Sequence, residues 1–253
     1  MQSRMILPML ILSILVGGCS DLAGAKLLFP EKFGLVEIDN NLYIEDGVDE
    51  DKKGSLRAAL RDAESAIKAT YGSVNSRPVV SACVSEECYR SFGGMGSRAK
   101  IYGNYILLSP RGFDWHFLAH EWSHDELRHR LDLIAWYRLP QWFDEGIAVA
   151  VSEAPEHSDE HWEYLEKSNI PRPDREQLLT YRTLREWLNA VEQYGEMQNP
   201  ERKARGEPEI RPVYTAAGHE LREWLRHERT AGLLSLIEEL NKGENFEEAY
   251  FEK

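Results

Sequence analysis

The chain has 253 residues, enough for one large domain or two small ones. A hydrophobic content of 42% and a charged content of 29% are ordinary for a folded protein. The net charge of −13 argues against a nucleic-acid partner and against electrostatic binding to anionic lipid, and it leaves the substrate or ligand open.

Residues 1–18 have the features of a targeting segment. Arg4 gives a positive start, and Met5 to Val16 form an apolar run that is too short to span a bilayer as a helix. The small residues of V-G-G-C before Cys19 resemble the lipobox of bacterial lipoproteins. This resemblance implies a lipid-anchored protein of the bacterial cell envelope, on the periplasmic face of the outer membrane. An ordinary signal peptide or an uncleaved anchor is the alternative.

A β-rich region follows a predicted tether at residues 19–35. Apolar residues recur at helical spacing from Ser55 to Gly72, and Gly72 is suited to end that helix. We expect strands at Leu42–Ile44, at Pro78–Val84 and, as a strand pair or bulged strand around Gly103 and Asn104, at Ile101–Pro110.

Two cysteines remain beyond the targeting segment. Cys83 and Cys88 form a C-x4-C pair, which is a poor zinc signature without a second pair nearby. In an exported compartment they are able to form a disulfide that closes a short local loop. Two buried thiols are the alternative.

Helices are expected to dominate residues 111–253. Asp114 is placed to cap a helix from Trp115 to Leu131, and Leu139-Pro140 separates it from the next helix. The further helices are predicted at Gln141–Val151, Thr183–Val191, Tyr214–Arg226, Thr230–Asn241 and Phe246–Phe251. The polar, proline-marked composition of residues 153–176 predicts a loop with a short helix. Residues 198–212 have no apolar pattern, which predicts a mobile loop. These elements predict one α+β domain at residues 36–253. Its sheet and one helix lie within residues 36–110, and its helical half comprises residues 111–253.

The run HEWSH carries the first chemical signal. His120 and His124 stand at positions i and i+4 of a predicted helix, so both imidazoles are able to reach one ion. Glu121 is rotated by about 100° along the same helix, beside the metal, where it can take a proton from a metal-activated water. The alternative is an exposed histidine pair on a charged helix, because three matched positions also arise by chance.

A catalytic zinc needs a third protein ligand, and LPQWFDEGIAVAV offers Glu145. HEWSH followed by P-x-W-F-x-E-G-x-A resembles the gluzincin metallopeptidases, in particular the bacterial peptidase MA-like family. The resemblance implies one Zn²⁺ per chain, with His120, His124 and Glu145 as ligands and Glu121 as the general base. It also implies a gluzincin-like fold, in which an edge strand in YGNYILLSPRG aligns an extended peptide along the cleft.

The resemblance further implies a donor for the oxyanion, since family members place a tyrosine or histidine on a later helix. Tyr214 is our candidate, although a packed aromatic at a helix start explains it equally well. The rival His219 lies five residues on and points about 140° away on a helix. Asp144 is expected either to hydrogen-bond to a zinc-ligating histidine or to face water.

The remaining histidines and two tryptophans receive structural interpretations. His157 and His161 also have i, i+4 spacing, but they lie in an acidic, proline-flanked loop without a third ligand, so we expect no second metal site there. Packing or supporting roles are expected for His116, His129, Trp187 and Trp224.

Together these expectations describe an exported, membrane-tethered, zinc-dependent peptidase whose partners are a peptide or protein substrate and, through Cys19, the membrane. Two alternatives stay open. One is a catalytically silent zinc-binding lipoprotein that binds a partner or a cell-wall component. The other is a metal-dependent hydrolase of a non-peptide bond, since zinc chemistry is shared between these classes.

Overall fold

The strands of the protein come first in the chain and its longer helices mostly follow. The computed structural model describes residues 26–251. One mixed sheet holds the strands β1 Leu35–Asp39, β2 Leu42–Glu45, β3 Val79–Ala82, β4 Ala99–Tyr102 and β5 Tyr105–Leu108. Their order is β1-β2-β3-β5-β4, with antiparallel pairs at the two edges and parallel pairs between them. The predicted α+β class is confirmed.

The two outer pairs are hairpins with tight turns. Tyr102 pairs with Tyr105, and Gly103 takes a φ of 65° in the turn between them, a backbone conformation that favours glycine. The predicted strand pair is therefore confirmed. However, YILL forms β5, which lies inside the sheet, so the edge strand is β4 rather than the strand in YGNYILLSPRG.

The folded part of the chain begins before residue 36. Pro30–Phe33 forms a short 3-10 helix that leads into β1, a strand the sequence reading missed. Leu27 and Leu35 are buried in a small second core that includes Phe92. The predicted tether at residues 19–35 therefore extends too far, because its later apolar residues pack into this core.

The first long helix, α1, spans Glu50–Tyr71 and connects β2 to β3. It begins at Glu50 rather than at Ser55 because the Asp49 carboxylate accepts the backbone N–H of Lys52. Gly72 ends it in the left-handed conformation, as predicted.

The other helices lie mostly in the second half of the chain. They are α2 Glu86–Ser91, α3 Trp115–Arg130, α4 Leu133–Arg138, α5 Gln141–Ser152, α6 Asp159–Lys167, α7 Arg175–Leu178, α8 Leu184–Gln193, α9 Asn199–Ala204, α10 Pro212–Asn241 and α11 Phe246–Phe251. Short 3-10 helices at Pro155–His157 and Glu196–Gln198 join some of them. The sequence reading missed α4, and α10 contains the two predicted helices with an interruption at Arg229.

The segment predicted as a mobile loop, residues 198–212, is tied down in the structure. It contains α9, and the buried Asn199 side chain accepts the N–H of Ile210 and donates to the Ile210 carbonyl. These two hydrogen bonds hold the end of the segment beside the start of α10.

Helices α5 and α10 approach each other through two glycines. A Cβ atom on Gly146 would lie 2.9 Å from the Ala217 carbonyl oxygen and 2.8 Å from Leu221 Cδ2. A Cβ atom on Gly218 would lie 2.2 Å from Val149 Cγ1. The close contact fixes α5 in the core, and with it the residue before Gly146.

Candidate metal centre

The two histidines of HEWSH share one face of α3. Asp114 begins this helix by accepting the N–H of His116, as expected. The ring centroids of His120 and His124 are 5.0 Å apart. Other positions of α3 are buried in the core, among them Leu118, Trp122 and Leu127. The histidine pair is therefore part of a packed helix and is not an exposed charged stripe.

Glu145 on α5 faces both histidines. Its Oε2 lies 3.5 Å from His120 Nε2 and 3.8 Å from His124 Nε2. Gln141 Nε2 donates to the other oxygen, Oε1, at 3.1 Å. Two ligand atoms on a tetrahedral Zn²⁺ are separated by about 3.3 Å. The three residues therefore form a donor set that fits one metal ion.

Asp144 orients one of these histidines. Its Oδ1 lies 2.9 Å from His124 Nδ1, which leaves Nε2 directed towards Glu145. Burial lowers the pKa of His124, but the charges of Asp144 and Glu145 raise it to about 10. Asp144 is buried against the histidine as a close ion pair and does not face water.

The carboxyl group of Glu121 lies beside this donor set and lines the cleft. Burial raises the pKa of Glu121, while the neighbouring histidines and a hydrogen bond from the Ile101 backbone N–H oppose that rise. Ile101 belongs to the edge strand β4. Glu121 therefore stands between the donor set and the strand.

His120 and Glu121 line a small cleft with a volume of about 150 Å³. One wall is formed by α3 and by the chain that enters β4. The other comes from the 3-10 helix Pro155–His157 and the start of α10. Arg98 joins the two walls, because it forms an ion pair with Glu156. Pockets that enclose drug-sized ligands measure roughly 300–1,000 Å³, so this cleft takes only part of a larger molecule.

Tyr214 lies in the wall opposite α3. Its ring centroid is 6.4 Å from that of His120 and 5.0 Å from that of Trp187. Burial and the charge of Glu145 raise the pKa of Tyr214, so its hydroxyl keeps its proton. The structure brings this candidate donor to the metal-ligating group.

Sequence reasoning missed His157, which stacks on Tyr214 with ring centroids 5.5 Å apart. The side chain is buried, and its Nδ1 has no hydrogen-bond partner among the described residues. Burial, with the charges of His120 and Arg211, holds the pKa of His157 well below its usual value. The polar composition around His157 gives no periodic signal, and only its i, i+4 relation to His161 singled it out.

The other ring-bearing residues lie outside the donor set. His219 stacks on Trp162 at 4.2 Å, on a different surface, so it is no rival to Tyr214. His116 Nδ1 contacts the Ser152 carbonyl and His129 Nδ1 contacts the carbonyl of its own helix residue Asp125. The expected core positions hold for Trp187, which is fully buried, and for Trp224, which is partly buried against the core.

Within residues 26–251, a second cluster of metal-ligating residue types lies where strands β2 and β3 end. It comprises Glu45, Cys83 and Cys88. The two sulfurs form a disulfide, so of the two alternatives, a disulfide or two buried thiols, the structure has the disulfide. Glu45 already accepts hydrogen bonds from the backbone of Val84 and Ser85. The cluster therefore stabilises the local loop between Cys83 and Cys88. Neither it nor the first donor set includes His157 or His161.

The predicted lipidation site, Cys19, and the targeting segment at residues 1–18 lie outside the described residues. In the part of the chain that the structure describes, no helix is both long and apolar enough to cross a bilayer.

Comparison with known proteins adds no relative. No protein-family model matches the chain, and a search of curated proteins finds no match to it.

Proposed function

We propose that this protein is an exported zinc-dependent peptidase of gluzincin type, with His120, His124 and Glu145 as metal ligands. One observation carries the proposal. The Nε2 atoms of two histidines on α3 and one carboxylate oxygen on α5 converge on a single point, and a fourth residue, Glu121, lies beside it. The proposal uses zinc because Zn²⁺ favours imidazole and carboxylate ligands in catalytic sites.

The residues around the donor set are suited to peptide hydrolysis. Bound Zn²⁺ supplies Lewis-acid chemistry, which acidifies water and polarises a carbonyl group. Glu121 takes the proton of the attacking water and delivers it to the leaving amine. Its raised pKa makes its carboxylate a stronger base towards that proton. Tyr214 and the neutral His157 would donate hydrogen bonds to the carbonyl oxygen as negative charge develops, and their proximity to His120 supports this role.

Elemental analysis of the purified chain, prepared without chelators, tests the metal centre. We expect about one zinc per chain in the wild type and a clear loss in Glu145→Ala. Glu192→Ala, which changes an exposed glutamate on α8, is the matched control and keeps the metal. A wild type that holds no zinc overturns the proposal and favours a partner-binding lipoprotein.

Matched peptide and ester substrates separate peptidase activity from other zinc hydrolysis. The wild type is expected to cleave peptides, and cleavage of esters alone assigns the site to a non-peptide hydrolase. Zinc binding without any hydrolysis assigns it to a silent binding protein.

The proposed anchor is tested on its own. Cys19→Ala is expected to move the protein from the membrane fraction to the soluble fraction, because lipidation supplies the membrane affinity. Unchanged fractionation contradicts a lipid anchor and leaves the metal centre unaffected.

A further inference from the structure

Two arginines line the cleft beside His120 and Tyr214, and their charges are engaged differently. Arg98 forms an ion pair with Glu156, and its Nη2 lies 3.5 Å from Glu209 Oε2. The charge of Arg98 is thus balanced by acidic groups of the opposite wall.

Arg211 is paired less closely with an acidic group. Among residues 26–251, the carboxylate within 4 Å of its guanidinium is that of Glu209, 3.7 Å from Nη2 and outside hydrogen-bonding distance. Its Nε is buried and has no acceptor in the described part of the chain. The side chain is 28% exposed, so only part of its charge is solvated by water. A buried donor without an acceptor is unfavourable, and a ligand that enters the cleft would be able to complete its hydrogen bonding.

The backbone holds Arg211 in a defined place. Its N–H donates to His161 Nε2 at 3.3 Å, and the residue before it, Ile210, is held by Asn199. Arg211 immediately precedes α10, whose Tyr214 stacks on His157 in the same wall. The backbone that carries Arg211 is therefore held in the wall of the cleft.

The shape and chemistry of this position suit one kind of group. A guanidinium presents paired N–H donors that match the two oxygens of a carboxylate. The cleft volume of about 150 Å³ accommodates the end of a chain or a single side chain. Glu156, the acidic residue in the same wall of the cleft as Arg211, is paired with Arg98.

We propose that Arg211 binds a carboxylate of the substrate and so makes the protein selective for peptides that place a negative charge beside the scissile bond. The proposal rests on the peptidase function above. Two sources supply this chemistry: the C-terminal carboxylate of a peptide, or the side chain of an aspartate or glutamate.

Binding of three small probes tests the proposal without requiring catalysis. The probes are acetyl-Ala-Ala, its C-terminal amide, and acetyl-Ala-Asp-amide. Calorimetric titrations use the full chain with Glu121→Gln, so that hydrolysis does not consume the probe. We expect at least one carboxylate probe to bind roughly ten- to a hundredfold tighter than the neutral amide, the range of a charge-assisted hydrogen bond. The tighter of the two carboxylate probes identifies the source.

Variants assign the preference to one side chain. Arg211→Met is expected to reduce the carboxylate-to-amide ratio to within about twofold, and Arg211→Lys to give an intermediate ratio because it loses the paired donors. Arg205→Met changes an arginine of the same segment that is paired with Glu207, and it should keep the wild-type ratio. A ratio within one variant does not depend on how much protein is folded.

Three outcomes overturn the inference: equal binding of all probes, no measurable binding of any probe, or a carboxylate preference that survives in Arg211→Met. The proposed peptidase function fails separately, through absent zinc or absent peptide cleavage. If the wild type cleaves peptides but ignores a C-terminal or side-chain carboxylate, the function stands and the role of Arg211 is wrong.

Discussion

The two walls of the cleft are both buried, yet the pKa shifts of their ionisable groups have different causes. In the wall of α3 and α5, each group has an opposite charge beside it: the pKa of Glu145 is lowered and that of His124 is raised to about 10, despite burial. In the other wall, the pKa of His157 is lowered and that of Tyr214 is raised, because burial dominates there. Glu145 and His124 are thus held in their charged forms, whereas His157 and Tyr214 are held in their neutral forms.

This contrast suggests that the two walls have different roles. Charged ligands and a proton carrier suit the wall that holds a metal ion, while neutral hydroxyl and imidazole groups suit the wall that faces a developing negative charge.

The largest effect is expected at Glu121. Glu121→Gln keeps the size of the side chain and removes its ability to carry a proton, so kcat for peptide cleavage should fall by about 10²- to 10⁴-fold while zinc content is unchanged. Steady-state kinetics and elemental analysis measure the two quantities on one preparation. The exposed Glu192→Gln serves as control, and a Glu121→Gln enzyme as fast as wild type rules out the general-base role.

The opposite wall should show a smaller effect. Tyr214→Phe removes one donor to the oxyanion and is expected to lower kcat by about 10²-fold with little change in KM. Tyr137→Phe, on a side chain that is 90% exposed, is the matched control. Full activity in Tyr214→Phe would mean that the ring only packs between His157 and Trp187.

The neutral character of this wall extends to Glu196, whose Oε1 accepts the N–H of Val213 at the start of α10. Burial raises the pKa of Glu196 to about 7, although the Val213 N–H and Arg211 oppose the rise. A carboxyl group whose pKa is higher in the folded state stabilises the fold below its unfolded pKa of 4.5, and this stabilisation is lost as pH rises to 7. The full difference is about 3 kcal/mol.

Glu196→Gln should therefore remove this pH dependence. The free energy of unfolding of the variant minus that of wild type is expected to grow between pH 4.5 and 7, in favour of the variant. Denaturant titrations at several pH values measure the difference. A constant difference across that interval contradicts a protonated Glu196 in the folded protein.

The smallest effect concerns the glycine beside Glu145. Gly146→Ala places a methyl group against the Ala217 carbonyl and Leu221, which should destabilise the fold by about 1–3 kcal/mol. Gly54→Ala in α1 meets no atom within 4 Å and should stabilise it by about 0.5–1 kcal/mol. Thermal unfolding of the two variants measures whether each is less or more stable than the wild type. Equal changes in stability would show that close packing at Gly146 is unimportant.

Local signals account for what the sequence predicted well. Asp114 and Gly72 mark helix ends that depend on one side chain or one backbone angle, and the two-residue turn at Gly103 defines a hairpin. The ligand positions follow from helical spacing, which places His120 and His124 on one face whatever surrounds the helix.

Features that depend on tertiary contacts were missed or misjudged. The short helix α4 begins with an Asp132 cap but exposes Leu133 and Ile134, so no apolar periodicity marks it. Asn199 and Ile210 hold a polar segment in place through two hydrogen bonds that no composition reveals. His157 becomes part of the site only because α10 places Tyr214 against it.

The glycine contact between α5 and α10 also determines how related sequences should be interpreted. Gly146 is required by the distance between two helices, whereas Glu121 is required only by the proposed chemistry. If the proposed function holds, a homologue that lacks hydrolysis but keeps the fold would retain Gly146 and be free to vary Glu121. The pair of residues at these two positions in a homologous sequence should therefore indicate whether it keeps the proposed activity or only the fold.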